Sequence, residues 1–323
     1  MAAPLYRTLR PWLLATFGRE VRRVALDAGS TCPNRDGTKG LGGCTYCDVE
    51  GSGTGAMRSG RELAEQLAQG IARARHKGRP VDVIAYFQSY SNTYFAVERL
   101  REVLSVVEPW IGTRVVAVSV ATRPDTFPPA AVEVLAELDR RVPVWVEFGL
   151  EAADDRVLAG VRRMHTVAEF HDAVERAHAA GLHVIGHAIL GLPGDGREGA
   201  ARTAREFARA RVGGVKVHNL MVLRKTQLAV DWRRGAVAVL DAATYVEWLA
   251  DFVEELDPEQ VLHRITGDAP LEERLAPLWD LEKNSIHALL AAELARRGTR
   301  QGARRPRIGA ELHRESATRE PEQ

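Results

Sequence analysis

Apolar and polar positions alternate along most of the chain in blocks of two kinds. Short apolar, β-branched runs occur at 21–28, 81–87, 115–120, 142–149, 182–190 and 215–222. Bounded by polar residues or glycine, they read as buried parallel strands. Amphipathic stretches lie between them. The first opens on Ser59-Gly-Arg-Glu62, a capping box, and puts Leu63, Leu67, Ile71 and Ala74 on one face. Further helices are predicted near 94–108, 128–140 and 197–212. Another opens on Thr166-Val-Ala-Glu169, carries Phe170, Val174 and Ala177, and stops at Gly181. Six such units over 21–222 give roughly 34 residues per repeat, the length of a right-handed βαβ crossover. The expected fold class is α/β, a partial (β/α)6 TIM-like barrel with a C-terminal α/β extension; a doubly wound sheet has the same periodicity. In either, ligands bind at the carboxyl ends of the strands.

The pattern changes near 223. A helix at 241–256 presents Tyr245, Trp248, Leu249 and Phe252, followed by a short strand at 261–266 and a helix near 285–297. Residues 296–323 hold eight arginines and four glutamates and almost no large apolar residue. The expected organisation is a core at 1–222, an extension at 223–298, and a disordered, solvated Arg-rich tail at 299–323. Attraction of that tail to RNA is the lesser reading.

Composition narrows the function classes. The 323 residues are 45% hydrophobic and 27% charged, with a formal net charge of +1, so bulk charge favours neither a nucleic-acid nor a membrane partner. No apolar run approaches the ~20 residues of a membrane span, and the first ten residues, interrupted by arginines, lack a signal-peptide core. A cytoplasmic location is expected.

Cys32, Cys44 and Cys47 are the only cysteines. An odd number without an export signal argues against disulfides. Pro33, Gly37, Gly40, Gly42 and Gly43 make the segment a loop, where cysteines are more plausibly ligands than core residues. Structural zinc sites close with four Cys or His ligands, but the next histidine, His76, falls inside a predicted helix. An iron–sulfur cubane held by three thiolates leaves one iron open for chemistry. The cubane is the favoured reading, with zinc and inert cysteines as the others. Glycines also let backbone N–H groups approach the sulfurs and tune the potential.

A cysteine triad after the first strand of a six-repeat βα chain resembles the radical S-adenosylmethionine (AdoMet) superfamily. The spacing is C-x11-C-x2-C rather than the usual C-x3-C-x2-C, and long first spacings mark the branch with the Elongator catalytic subunit and its bacterial YhcC/YtqA-like relatives. Cys-Pro-Asn-Arg-Asp-Gly-Thr at 32–38 and Gly-Gly-Cys-Thr-Tyr-Cys at 42–47 look like the latter group's signature. The likeness continues through 86–94, 121–125, 146–150, 191–194 and 215–218, then His263, Arg264 and Trp279 to Lys283.

The resemblance implies a [4Fe–4S] cluster on Cys32, Cys44 and Cys47, with AdoMet on the open iron and cleaved by one electron to a 5′-deoxyadenosyl radical. The electron would come from a flavodoxin- or ferredoxin-like donor. Relatives place Gly-Gly-Glu after the second strand to meet the AdoMet amino group; here Gln88-Ser89-Tyr90 stands there, so any contact uses different atoms. Ser119, Thr122 and Arg123 are candidates for ribose or carboxylate. Ile189 and Gly191 resemble the pair that holds adenine, although Ile189 also suits a core strand. The chain departs from its relatives at Met164 and Lys225, each in place of glycine, at Glu151-Ala152 in place of Gln-Ser or Gln-Thr, and at Asp195 in place of Glu.

Other polar residues carry two readings. Glu147, within an apolar strand, is either a cofactor or substrate contact or a mid-barrel ion pair. His187, His218 and Lys216 either fill the core or orient a substrate and relay a proton. His263 and Arg264 belong to a segment expected to close the barrel mouth. By analogy with Elongator, a tRNA wobble uridine is the leading substrate; a small metabolite or protein, or a non-catalytic zinc- or cluster-binding role, are the alternatives.

Overall fold

The computed structural model describes residues 4–47, 56, 60–267, 269–281 and 285–305. The elements run in the order α1 (Leu9–Phe17), β1 (Val21–Leu26), α2 (Leu63–Arg73), β2 (Arg75–His76), β3 (Arg79–Pro80), β4 (Asp82–Phe87) and α3 (Val97–Ser105). Next come β5 (Val115–Thr122), α4 (Pro129–Asp139), β6 (Val144–Glu151), α5 (Asp155–Gly160), α6 (Val167–Ala179), β7 (His183–Leu190), α7 (Gly196–Arg209) and β8 (Gly214–Asn219). The chain ends with β9 (Val222–Leu223), α8 (Gln227–Arg233), α9 (Ala242–Glu255), β10 (Val261–Arg264), β11 (Arg274–Ala276) and α10 (Ser285–Arg296).

Seven parallel strands form one sheet in the order β1-β4-β5-β6-β7-β8-β10. The sheet is curled into a partial barrel, so the expected α/β architecture holds. It has one strand more than the six expected, because β10, from the segment read as an extension, pairs with β8.

Side chains alternate across these strands. Val24, Leu26, Val83, Ala85, Phe87, Val118, Val120, Val146 and Phe148 belong to the large core between sheet and helices. Val21, Ile84, Ala117, Trp145, Ile185 and Val261 form a second cluster with Leu9 and Leu13 of α1, which plugs the amino-terminal end of the barrel. Inward positions further along the strands line a cavity toward their carboxyl ends.

Local signals explain much of the framework. Thr166 caps α6 as expected: its Oγ1 accepts from Glu169 N at 3.2 Å, and Glu169 Oε2 accepts from Thr166 N at 2.6 Å. Gly181, at φ +77°, turns the chain out of α6 and donates to His178 O at 2.9 Å.

Other expectations need correction. The helix predicted from 59 begins at Leu63, with Glu62 as a cap that makes no side-chain bond; Ser59 lies outside the described residues. His76 is not helical but sits in the β2–β3 hairpin, because α2 stops at Arg73. The run 215–222 divides into β8 and β9, and β9 pairs antiparallel with β11. β10 is a strand of the sheet, and its Arg264 lines the cavity. The tail is packed at its start: Gln301 is buried, its amide donates to Asp257 O and Gln260 O, and its carbonyl accepts from Arg7 N. The rest of the expected disordered tail, 306–323, lies outside the described residues. Helices α1, α5 and α8 were not expected.

No helix among the described residues is long and apolar enough to cross a membrane.

Candidate active site

The cysteine loop leaves the carboxyl end of β1 and folds on its own backbone. Cys32 O accepts from Arg35 N at 2.8 Å, Asn34 O from Gly43 N at 2.8 Å, and Cys44 O from Cys47 N at 3.1 Å. Buried Asn34 ties it to the turn after α5: its Nδ2 donates to Arg162 O at 2.8 Å and Arg163 O at 3.0 Å, and lies 3.5 Å from Cys44 Sγ. Thr45 N donates to Val161 O at 3.0 Å. Cys44 is buried, and Cys32 and Cys47 are half-buried.

All three cysteines line one cavity at the carboxyl end of the barrel. Each sulfur has an arginine beside it. Arg35 Nη2 is 3.1 Å from Cys47 Sγ, Arg123 Nη1 is 3.9 Å from Cys32 Sγ, and Arg163 Nη1 is 3.9 Å from Cys44 Sγ. Arg123 is fully buried and grips Asp125 with two bonds, 2.9 and 2.8 Å. Burial would raise the Asp125 carboxyl, but Arg123 and Lys39 outweigh it and hold it at about 2. Arg163 donates to Gly149 O at 2.9 Å and lies 3.3 Å from Glu151. Among the described residues, no three His, Cys, Asp or Glu side chains gather closely enough to hold a single metal ion. Three sulfurs facing one cavity, each met by a donor, suit a polynuclear iron–sulfur group better than zinc.

Deeper in the barrel, Glu147 of β6 is the centre of a polar layer. Its Oε1 accepts from Ser119 Oγ of β5 at 2.5 Å, and its Oε2 meets His187 Nε2 of β7 at 2.7 Å and the Lys216 ammonium of β8. Lys216 Nζ also lies 4.0 Å from the centre of the Tyr86 ring. Burial alone would raise Glu147, but Lys216 and His187 keep it well below the ordinary carboxylate range. Burial lowers Lys216 to about 7, and Arg23 and Arg264 add to that against the pull of Glu147. His187 is lowered by burial although Glu147 opposes it; His218 is lowered by burial and by Arg264. The ion-pair reading of Glu147 is thus seen, on a residue that also lines the cavity.

The sequence candidates divide. Cys32, Cys44, Cys47, Gln88, Thr122, Arg123, Glu147 and Ile189 line the cavity, as do His187, Lys216, His218 and Arg264. Ser119 reaches it only through Glu147. Ser89 and Gly191 do not line it: Ser89 is buried, and a Cβ at Gly191 would meet Leu240 at 3.2 Å. The Thr122 hydroxyl belongs to a buried cluster with Ser91, Thr93 and Thr126. His263 sits lower, edge-on against Trp145. Trp279 donates to Leu240 O at 3.1 Å and lies tilted against Tyr245, with ring centres 5.1 Å apart, while Lys283 lies outside the described residues.

Sequence reasoning assigned no role to Arg35, Tyr46, Tyr86, Tyr90 or Arg163, all of which line the cavity. Arg35, inside the cysteine loop, was within reach of it. The departures have local explanations. Glu151 pairs with Arg163. Met164 and Lys225, where the resemblance led us to expect glycine, adopt φ +59° and +63°, where glycine is the unstrained residue. Asp195 is buried at the start of α7, outside the cavity; burial raises its carboxyl to about 6, against Arg202 at 3.6 Å.

Comparison with known proteins agrees with this geometry. The family model "Radical SAM superfamily" matches residues 31–207, and the "Radical_SAM C-terminal domain" matches 212–296. The protein YtqA of Bacillus subtilis is 38% identical over 297 residues, 92% of each chain. A tRNA uridine(34) acetyltransferase of Dehalococcoides mccartyi is 27% identical over 180 residues, 55% of this chain and 39% of that protein. The structure of an archaeal Elp3 from Methanocaldococcus infernus superposes with a TM-score of 0.68 at 18% identity, over 87% of this chain and 64% of that one.

Proposed function

This chain belongs to the radical SAM superfamily, and on that premise we propose that Cys32, Cys44 and Cys47 hold the [4Fe–4S] cluster of an AdoMet-dependent enzyme acting on a wobble uridine of tRNA. The family carries the cluster and AdoMet as cofactors. The observation that supports the cysteine assignment is their common place on one cavity at the carboxyl ends of the strands. When bound, these cofactors supply the electron transfer that breaks AdoMet and yields a 5′-deoxyadenosyl radical able to take a hydrogen atom from substrate.

The chain's own residues bind, orient and exclude water. Glu147, fixed from three strands, is a carboxylate acceptor for a polar group in the cavity. Ile189 offers an apolar wall for the adenine ring, without Gly191 beside it. Within Gln88-Ser89-Tyr90, which stands where Gly-Gly-Glu was expected, Gln88 lines the cavity and brings an amide rather than a carboxylate toward the AdoMet amino group. Arg123 has its Nε and one Nη on Asp125, so it serves the cysteine loop more than a ribose or carboxylate. Lys216, poised near neutrality beside His187 and His218, can hold or release a proton at the substrate side.

The wobble-uridine reading draws on the tRNA uridine(34) acetyltransferase relative, of which this chain spans less than half. A flavodoxin- or ferredoxin-like protein is the proposed electron donor.

Anaerobically reconstituted protein should hold four irons per chain and release 5′-deoxyadenosine when given AdoMet and dithionite, and Cys47→Ser should abolish both. A full yield of 5′-deoxyadenosine from the serine variant would refute the cysteine assignment. Mass spectrometry of tRNA nucleosides from a strain lacking the gene should reveal a changed wobble uridine; an unchanged profile refutes that substrate.

A further inference from the structure

We propose that Arg35, Arg123 and Arg163 form a cationic shell that raises the reduction potential of the cluster, with Arg35 its strongest member. The inference rests on the reading that the three cysteines hold that cluster. Sequence reasoning expected backbone N–H groups of the glycines to approach the sulfurs. The structure places guanidinium groups beside them, one for each cysteine and from three separate segments of the chain.

Each guanidinium is held by more than the sulfur it faces, so its position does not depend on that contact. Arg35 donates to Cys47 O at 3.3 Å and lies 5.7 Å from the centre of the Tyr90 ring. A Cβ on Gly43, itself at φ +83°, would stand 3.0 Å from Arg35 Nε and 3.2 Å from its Nη2, so the glycine makes room for the side chain. Arg123 is fixed by Asp125 and by Arg163 O at 2.8 Å, and Arg163 by Gly149 O and Glu151.

Reduction adds one electron from a low-potential one-electron donor to the cluster and transfers no proton, so the cluster becomes more negative by one charge. A nearby cation stabilises the more negative state more strongly, and more so away from water. Arg35 makes the shortest of the three contacts, 3.1 Å against 3.9 Å for each of the others, which is why its replacement should matter most.

The test is a dithionite titration of the reconstituted full chain without AdoMet, followed by electron paramagnetic resonance. Arg35→Gln keeps a donor and removes the charge; Arg35→Lys keeps the charge. At the parent's midpoint, Arg35→Gln should lower the reduced-to-oxidised ratio about tenfold, or ~59 mV for one electron, and Arg35→Lys should stay near the parent. An Arg35→Gln midpoint equal to the parent's overturns the proposal, as does a Lys variant that falls as far as Gln. If Arg35→Gln does not take up iron, Arg163→Gln should move the midpoint in the same direction. Failure of both to load assigns these arginines to cluster assembly and also overturns it. A parent chain that holds no four-iron cluster refutes the cysteine reading itself.

Discussion

His187 Nε2 lies 2.7 Å from Glu147 Oε2, joining β7 to β6 in the middle of the barrel. Lys216 reaches the same oxygen from β8 and Ser119 the other oxygen from β5, so four neighbouring strands meet on one carboxylate. A buried pair broken on one side leaves an uncompensated charge, which costs about 3–5 kcal/mol. Glu147→Ala should therefore lose stability of that order, and Glu147→Gln, which keeps the shape and one acceptor oxygen, should lose less. Urea unfolding at pH 7 checks the order. Equal losses for the two variants would mean that the charge alone, and not the shape or the remaining acceptor oxygen, carries the effect.

Asp195 gives a pH dependence of the opposite sign to that of most carboxylates. Its folded pKa of about 6 lies above the ordinary 3.8 because the side chain is buried. Between those values the folded chain binds more protons than the unfolded one, so stability is highest below the lower value and falls as pH rises through the upper. Asp195→Asn should remove that slope and gain about 1–2 kcal/mol at pH 8. Thermal melts of both proteins at pH 4, 6 and 8 read this directly; parallel curves would refute it.

Met164 and Lys225 stand at left-handed positions, which favour glycine. An L-residue there costs roughly 1–2 kcal/mol, and glycine gives back about 0.5–1 kcal/mol of that through its freer unfolded chain. Met164→Gly and Lys225→Gly should each gain about 0.5–1 kcal/mol. Met164 is largely exposed, so little packing is lost with it. A drop in melting temperature for both variants would place an unseen contact at these side chains.

Residues differ in how legible they were. Most of the six strands were readable because they are runs of buried, largely apolar residues, as at Val115–Thr122. β10 was found but not assigned to the sheet: it has four residues, and His263 and Arg264 make half of it polar. Helix α1 was hidden by Pro11 in its first turn and by the lack of a side-chain cap at Thr8. The cysteine loop was legible since its glycines and sulfurs are contiguous. The arginines at Cys32 and Cys44 were not, since they are 91 and 119 residues away in sequence, and no local pattern reports such a meeting. The same holds for Lys216 and Glu147, 69 residues apart. Periodicity marked both as unusual polar residues in strands without pairing them.

Asn34 connects the cysteine loop to the turn that carries Arg163. Its single amide nitrogen serves Arg162 O, Arg163 O and the neighbourhood of Cys44 Sγ, and it is buried. Alanine at this position leaves two carbonyls without that donor, at a cost of about 1–3 kcal/mol. Because the lost bonds set the distance between loop and turn, the effect should fall more heavily on cluster uptake than on the fold. Asn34→Ala should keep its circular dichroism spectrum yet bind fewer irons per chain than the parent after identical anaerobic reconstitution, and lose them faster to a chelator. Asn34→Asp, which offers the carbonyls no N–H at all and adds a charge beside Cys44, should be worse than alanine. Iron and sulfide analysis of the three proteins decides the matter: full and equally stable loading of both variants would mean that the loop holds its shape without this link.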